Sequence, residues 1–112
     1  QFLKFIENFN SKYLGLNFDI GHFFCVNEDP QKLILDLQDH IKHIHLEDIA
    51  YSKKHHHLIP GHGVIDFKGI FTSLNSINYT GYITVELYPY QNNPQDAAIE
   101  SMTYLKSLIE NV

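Results

Sequence analysis

The sequence has little cysteine and no long apolar run, and both shortages limit what the protein can be. Cys25 is its single cysteine, so no internal disulfide can form, which suits a reducing compartment. No apolar stretch approaches the ~20 residues that a membrane-spanning helix needs. No basic-then-apolar signal segment opens the chain. We therefore predict a cytoplasmic protein with no membrane partner.

Basic residues are also scarce. The 112 residues carry a formal net charge of −5 with neutral histidines, and Lys53–Lys54 is the only basic pair. A protein that binds nucleic acid needs a basic face to neutralise phosphates. We therefore predict no nucleic-acid partner and expect an acidic, neutral or metal-bridged ligand.

Apolar side chains are plentiful and recur in alternating helix and strand patterns. Apolar residues make up 44% of the chain, enough for the core of one domain. Helices are predicted at 1–10 and after Asp29–Pro30, Asp66 and Asn93–Pro94, and strands at 13–19, 41–46 and 82–87. Regular alternation of this kind indicates a parallel sheet with crossover helices. The long loop 47–65 is typical of functional loops in such units.

Each predicted strand has an apolar face and a face that becomes polar toward its carboxyl end. The last polar residues are Asp19, His45 and Glu86. A doubly wound sheet is apolar on both faces, whereas the inner face of a barrel opens onto an active site. We therefore predict that these three side chains converge on one divalent cation. Carboxylate and imidazole ligands suit Mn²⁺, Mg²⁺, Co²⁺ or Zn²⁺.

Four segments of the sequence form a characteristic set, namely the residues 17–22 (NFDIGH), 43–48 (HIHLED), 57–67 (HLIPGHGVIDF) and 85–87 (VEL). Together they resemble the xylose isomerase-like TIM barrel superfamily, which includes sugar isomerases, ketose 3-epimerases, inosose dehydratases and endonuclease IV. The resemblance implies that residues 1–112 form a single partial domain, the last three strand–helix units of a (β/α)8 barrel. We expect the chain to be part of a larger protein or to assemble with another chain, and to be inactive alone.

The resemblance also implies roles for individual residues. Asp19, His45 and Glu86 match three of four metal ligands, and the fourth, a Glu on the preceding barrel strand, has no counterpart here. His22 and His57 match positions that reach the substrate. Asp48, three residues after His45, is expected to be the hydrogen-bond partner of a metal-bound His. Where the family usually has a Glu between two glycines, this chain has a His at position 62. His43, one layer below His45, is predicted to be a hydrogen-bonded inner residue.

The implied activity is isomerisation or epimerisation of a sugar or related α-hydroxy carbonyl compound through an enediolate. One divalent ion would stabilise the negative charge on two substrate oxygens. Glu86 would be one of two carboxylates that move protons at carbon.

Two other functions stay open. A zinc-dependent, endonuclease IV-like enzyme would share the barrel but needs more metal ligands and a basic groove. A catalytically incomplete interaction module would keep part of the barrel and bind no metal.

Overall fold

The computed structural model describes residues 1–111, which form helices on a three-stranded sheet. The elements in chain order are α1 (Phe2–Glu7), β1 (Leu16–Asp19), α2 (Ile20–Cys25), α3 (Pro30–Asp36), β2 (Ile41–Leu46), α4 (Phe67–Ser76), β3 (Ile83–Val85), a 3₁₀ turn (Tyr88–Tyr90) and α5 (Pro94–Ile109). Within these residues, no helix is both long enough and apolar enough to cross a membrane.

The sheet has the order β1-β2-β3, and both pairs of strands are parallel. Asp19 lies opposite His45, and Leu46 lies opposite Val85. Because the strands are parallel, their carboxyl ends meet at one edge of the sheet, as predicted. The alternation of parallel strands and crossover helices is therefore confirmed.

The outer face of the sheet forms the core beneath the helices. Phe18, Ile44 and Leu46 are fully buried there. They pack in one cluster with Ile34 of α3 and Ile70 of α4. Fully burying one such side chain contributes about 1.5–3 kcal/mol. Since this face is covered, the opposite face is the one that is left for a ligand.

Aspartates begin two of the helices, as the sequence predicts. Asp29 Oδ1 accepts a hydrogen bond from the backbone N–H of Gln31 at 3.0 Å, with Pro30 as the first helical residue of α3. Asp66 Oδ1 accepts from the N–H of Gly69 at 3.0 Å at the start of α4. Such caps satisfy helix N–H groups that have no partner within the helix.

The sequence pattern predicts that α5 buries Ala98, Met102, Leu105 and Ile109, and of these only Leu105 is buried. Ala97, Ser101 and Leu105 are buried, whereas Met102 and Ile109 are about half exposed. The buried Ser101 hydroxyl donates a hydrogen bond to the backbone carbonyl of Ala97 at 2.7 Å. Small residues let the helix backbone approach the core closely, and a pattern of large apolar residues does not detect such a contact.

Helix α2 was not predicted. It follows β1 directly, and Asp19 is both the last residue of the strand and the N-cap of the helix. Its six residues are too few to give a helical period in the sequence. Strands β1 and β3 are shorter than the predicted ranges 13–19 and 82–87. Tyr13 and Tyr82, at the ends that were wrongly included, are more than four-fifths exposed.

Candidate metal centre at the carboxyl ends of the strands

The structure brings Asp19, His45 and Glu86 together at the edge where the strands end. One ligand atom from each lies within 4.8 Å of the other two. His45 Nδ1 is 3.3 Å from Glu86 Oε2. All three side chains are partly buried, so they face a common space that is still open to a ligand.

Strand register explains the convergence. Asp19 and His45 are paired residues of adjacent parallel strands. Glu86 comes one residue after β3, where its N–H donates to the carbonyl of Leu46 at 3.0 Å. One layer deeper, His43 Nε2 and Thr84 Oγ1 form a hydrogen bond of 2.8 Å. The hydrogen bond predicted for His43 is therefore present, and its ring is half-buried.

His22 lies at the rim of this space. Its backbone N–H donates to Asp19 Oδ1 at 2.8 Å, and its ring Nδ1 is 3.6 Å from Asp19 Oδ2. The ring is 57% exposed, so it can reach a bound molecule. Together with His55 and His57 it forms a second group of potential metal ligands.

His57 is 2% exposed, and each of its ring nitrogens lies close to a polar partner. Its Nδ1 lies 3.0 Å from the backbone carbonyl of Glu86, and a carbonyl can only accept, so Nδ1–H is the donor. In the neutral ring, Nε2 therefore carries a lone pair. That atom is 3.0 Å from His55 Nε2 and 3.8 Å from Glu47 Oε1. Burial, with His22 and His57 nearby, lowers the pKa of His55.

Glu47 is the site residue that sequence reasoning underrated. It is fully buried, and neither carboxylate oxygen has a hydrogen-bond partner among residues 1–111. Burial raises the pKa of Glu47 to about 9, and Asp19 and Glu86 add to the rise while the backbone of Gly21 opposes it. A Cβ at position 21 would overlap this carboxylate. Its place two residues after His45 was the only signal in the sequence.

Asp48 is equally buried but faces the other way. Its carboxylate accepts backbone N–H groups from Ile49, Gly61, Gly63 and Ile65 at 2.8–3.1 Å. These bonds fold the segment 58–65 against the end of β2. The hydrogen bonds of Asp48 thus go to loop backbone, and its expected role beside a metal-bound His stays a prediction.

The donor set fits a divalent cation. Two carboxylates and an imidazole are ligands that Mn²⁺, Zn²⁺ and similar ions accept. A third group of potential metal ligands is formed by Glu47, His57 and Glu86, so three carboxylates, with that of Asp19, lie at this edge. Among residues 1–111, the ion pairs of these carboxylates involve histidines and no Lys or Arg. The site thus concentrates negative charge that a cation would offset.

Comparison with known proteins identifies the family of the chain. The profile of the family described as Xylose isomerase-like TIM barrel matches residues 1–108. An inosose dehydratase of Lacticaseibacillus casei is 34% identical over 110 residues, which cover 82% of this chain and 37% of that protein. An inosose dehydratase of Clostridium perfringens (strain 13 / Type A) is 31% identical over 121 residues, which cover 92% and 41%.

Solved structures give the same picture. A D-tagatose 3-epimerase-like protein superposes with a TM-score of 0.75 at 35% identity, covering 91% of this chain and 37% of that one. A xylose isomerase domain protein from Planctomyces limnophilus superposes with a TM-score of 0.81 at 22% identity, covering 99% and 44%, and supports the fold alone. The chain spans about two fifths of the length of the relatives that it matches.

Proposed function

This chain belongs to the xylose isomerase-like TIM barrel family, and from that premise we propose that it is part of a divalent-metal-dependent isomerase or epimerase. The substrate is a sugar or a related α-hydroxy carbonyl compound. Support comes from relatives named as inosose dehydratase and D-tagatose 3-epimerase-like protein. All of these names refer to conversion of sugar-like molecules.

The convergence of Asp19, His45 and Glu86 carries this proposal. These residues come from three separate strand ends, and their ligand atoms lie close enough together to share one ion. A bound Mn²⁺, Mg²⁺, Co²⁺ or Zn²⁺ would offset negative charge on the substrate oxygens while a carbon-bound proton is removed. We assign Asp19, His45 and Glu86 as the ligands.

Glu86 also has the position of a general base. Its carboxylate is partly exposed toward the space at the strand ends and lies beside His45 Nδ1. We assign it to take a proton from substrate carbon or return one, which general acid–base groups do with rate gains of about 10²–10⁴. His57 holds the backbone of Glu86 through Nδ1–H, and its expected contact with the substrate stays a prediction. His22 is exposed at the rim and is assigned to bind substrate hydroxyls.

The remaining barrel strands would supply the fourth ligand. Strands β1 and β3 are the two edges of the sheet that residues 1–111 form. Unpaired edges expose backbone N–H and C=O groups that normally find a partner. We propose that further strands of a longer chain, or another chain, cover them and complete the site.

The test is proton exchange at carbon in the complete protein. Ketoses and an inosose are incubated in D₂O with Mn²⁺, and deuterium incorporation next to the carbonyl is followed by NMR. Glu86→Gln should lower the exchange rate by about 10²–10⁴ and leave substrate binding intact. Glu100→Gln is the matched control, because it makes the same change at an exposed carboxylate on α5.

Near-normal exchange in Glu86→Gln would remove Glu86 from the mechanism. If no carbonyl substrate incorporates deuterium and the protein cleaves DNA at abasic sites, the endonuclease function is favoured instead. The net charge of −5 makes that outcome unexpected.

A further inference from the structure

We propose that His55 binds a hydroxyl group of the substrate and accepts the hydroxyl proton through its ring Nδ1. The contact selects a polyhydroxylated compound, because only a hydrogen-bond donor can pair with a ring nitrogen that carries a lone pair. This inference rests on the proposed function and deepens it, since it names a residue that recognises the substrate at the same site.

The ring of His55 lies at the rim of the candidate metal centre. It is exposed, and its centroid is 4.3 Å from that of His22 and 4.9 Å from that of His57. Both of these neighbours contact residues at the strand ends. His22 Nδ1 is 3.6 Å from Asp19 Oδ2, and His57 Nδ1 is 3.0 Å from the backbone carbonyl of Glu86. A molecule bound at the strand ends is therefore within reach of His55.

The hydrogen bonds of His57 determine where its neighbour carries a proton. The carbonyl of Glu86 can only accept, so His57 donates through Nδ1–H. Charging a ring that is 2% exposed is costly, so the ring is neutral and its Nε2 carries a lone pair. His55 Nε2 lies 3.0 Å from that atom and must be the donor. Glu47 Oε1, at 3.8 Å, is too far away for a hydrogen bond.

The other ring nitrogen of His55 is left as an acceptor. Burial lowers the pKa of His55, and His22 and His57 lower it further, so the ring is neutral at pH 8. A neutral ring that has its proton on Nε2 carries a lone pair on Nδ1. Within residues 1–111, the ring makes no hydrogen bond besides the one to His57. Two successive hydrogen bonds thus present Nδ1 to a ligand as a fixed acceptor.

A rival arrangement is a metal ion shared by His22, His55 and His57. Such an ion would take the Nε2 lone pairs of both His55 and His57, and the proton of His55 would then lie on Nδ1. No carboxylate belongs to this group, and the hydrogen bond of 3.0 Å already pairs the two Nε2 atoms without an ion. The two arrangements predict opposite positions for one proton.

NMR of the complete protein, labelled with ¹⁵N in its histidines, locates this proton. Two-bond ¹H–¹⁵N correlations are recorded at pH 8 with one equivalent of Zn²⁺, a diamagnetic ion that imidazoles readily bind. His57 should carry its proton on Nδ1 and His55 on Nε2. The His55→Asn spectrum identifies the signals of His55 by their loss. A proton on Nδ1 of His55 would overturn the proposal.

A matched pair of variants tests the contact with substrate. His55→Gln places an amide N–H near the position of Nε2, so it keeps the donor to His57 and removes the acceptor. His55→Asn places an amide oxygen near the position of Nδ1, so it keeps the acceptor and loses that donor. His56→Gln makes the same change as the first variant at an exposed neighbour and serves as the control.

The measured quantity is kcat/KM for deuterium exchange with a ketose and with each of its monodeoxy analogues. The unmodified protein should prefer the ketose over one of these analogues by about 2- to 10-fold through a hydrogen bond to His55. His55→Gln should lose that preference through a higher KM for the ketose, with kcat unchanged. His55→Asn and His56→Gln should keep most of it.

The outcomes separate this inference from the proposed function. Exchange in which His55→Gln retains every preference of the unmodified protein would overturn the contact and leave the proposed function standing. Loss of the same preference in His56→Gln would also overturn it. No exchange with any carbonyl compound would overturn the proposed function and the substrate contact together. The NMR measurement on the unmodified protein tests the position of the proton even if a substitution disturbs the fold.

Discussion

Two neighbouring regions of the molecule start from adjacent residues: Asp48 organises the segment 58–65, and Glu47 lines the candidate metal centre. Both carboxylates are buried, but their surroundings differ. Asp48 is 1% exposed and accepts four backbone N–H groups. Glu47 is 0% exposed, and its oxygens have no partner in the described part of the chain. Successive residues point to opposite sides of an extended backbone, which explains how neighbours reach such different surroundings.

The difference separates a structural carboxylate from a functional one. A buried carboxylate whose oxygens are all bonded stabilises the fold that supplies its donors. A buried carboxylate without donors destabilises the fold until a ligand or a proton neutralises it. We expect that removing a carboxylate of the first kind lowers the stability of the fold. Removing one of the second kind should mainly change the binding of a ligand.

Removing the bonded carboxylate should have the largest effect. Asp48→Ala leaves four backbone N–H groups, two of them in buried hydrogen bonds, without an acceptor and should lower the free energy of unfolding by about 3–5 kcal/mol. Chemical denaturation of the complete protein measures this. Asp39→Ala, at an exposed aspartate, should change stability by less than about 0.5 kcal/mol. An equally small change in Asp48→Ala would contradict the idea that a buried carboxylate with bonded oxygens stabilises the fold.

In the metal-free protein, the ionised carboxylate of Glu47 should destabilise the fold, whereas that of Asp48 stabilises it. Its pKa is raised from 4.5 to about 9, so between these values the folded protein keeps a proton that the unfolded chain releases. Stability should therefore fall as pH rises through this window, by at most about 1.4 kcal/mol per pH unit. Burial is the main cause, followed by Asp19 and Glu86.

Glu47→Gln should flatten that slope and raise stability by about 1–3 kcal/mol at pH 8. Thermal unfolding in the presence of a chelator, repeated from pH 5 to pH 9, checks both points. A slope that is equal in the variant and the unmodified protein would assign the proton to another group.

An exposed, bonded carboxylate should give the smallest effect. Asp66 caps α4 and also accepts from the side chain of Gln31 at 3.1 Å. Asp66→Ala should cost about 1 kcal/mol, and Asp66→Asn clearly less, because Asn also caps helices. Urea denaturation measures both variants. If Asp66→Ala lowers the free energy of unfolding as much as Asp48→Ala does, burial adds little to the stability that these hydrogen bonds contribute.

Most of the fold could be predicted from the sequence because its signals are local. Period-2 and helical patterns located β2 and α4, and the Asp29–Pro30 pair located the start of α3. The four motifs indicated the family, and the match over residues 1–108 confirms it. The short helix α2 and the buried face of α5 were missed. Neither gives a pattern of large apolar residues at regular spacing.

The sequence by itself determined which residue types stand at the three strand ends, since alternation along a strand fixes which side chains share a face. Tertiary structure alone decided that Asp19, His45 and Glu86 lie within reach of one ion, because strand register sets that distance. It also decided that Asp48 bonds to the turn while Glu47 has no hydrogen-bond partner within residues 1–111. Hydrogen bonding depends on which distant backbone groups fold next to a side chain, and no pattern in the neighbouring residues records that.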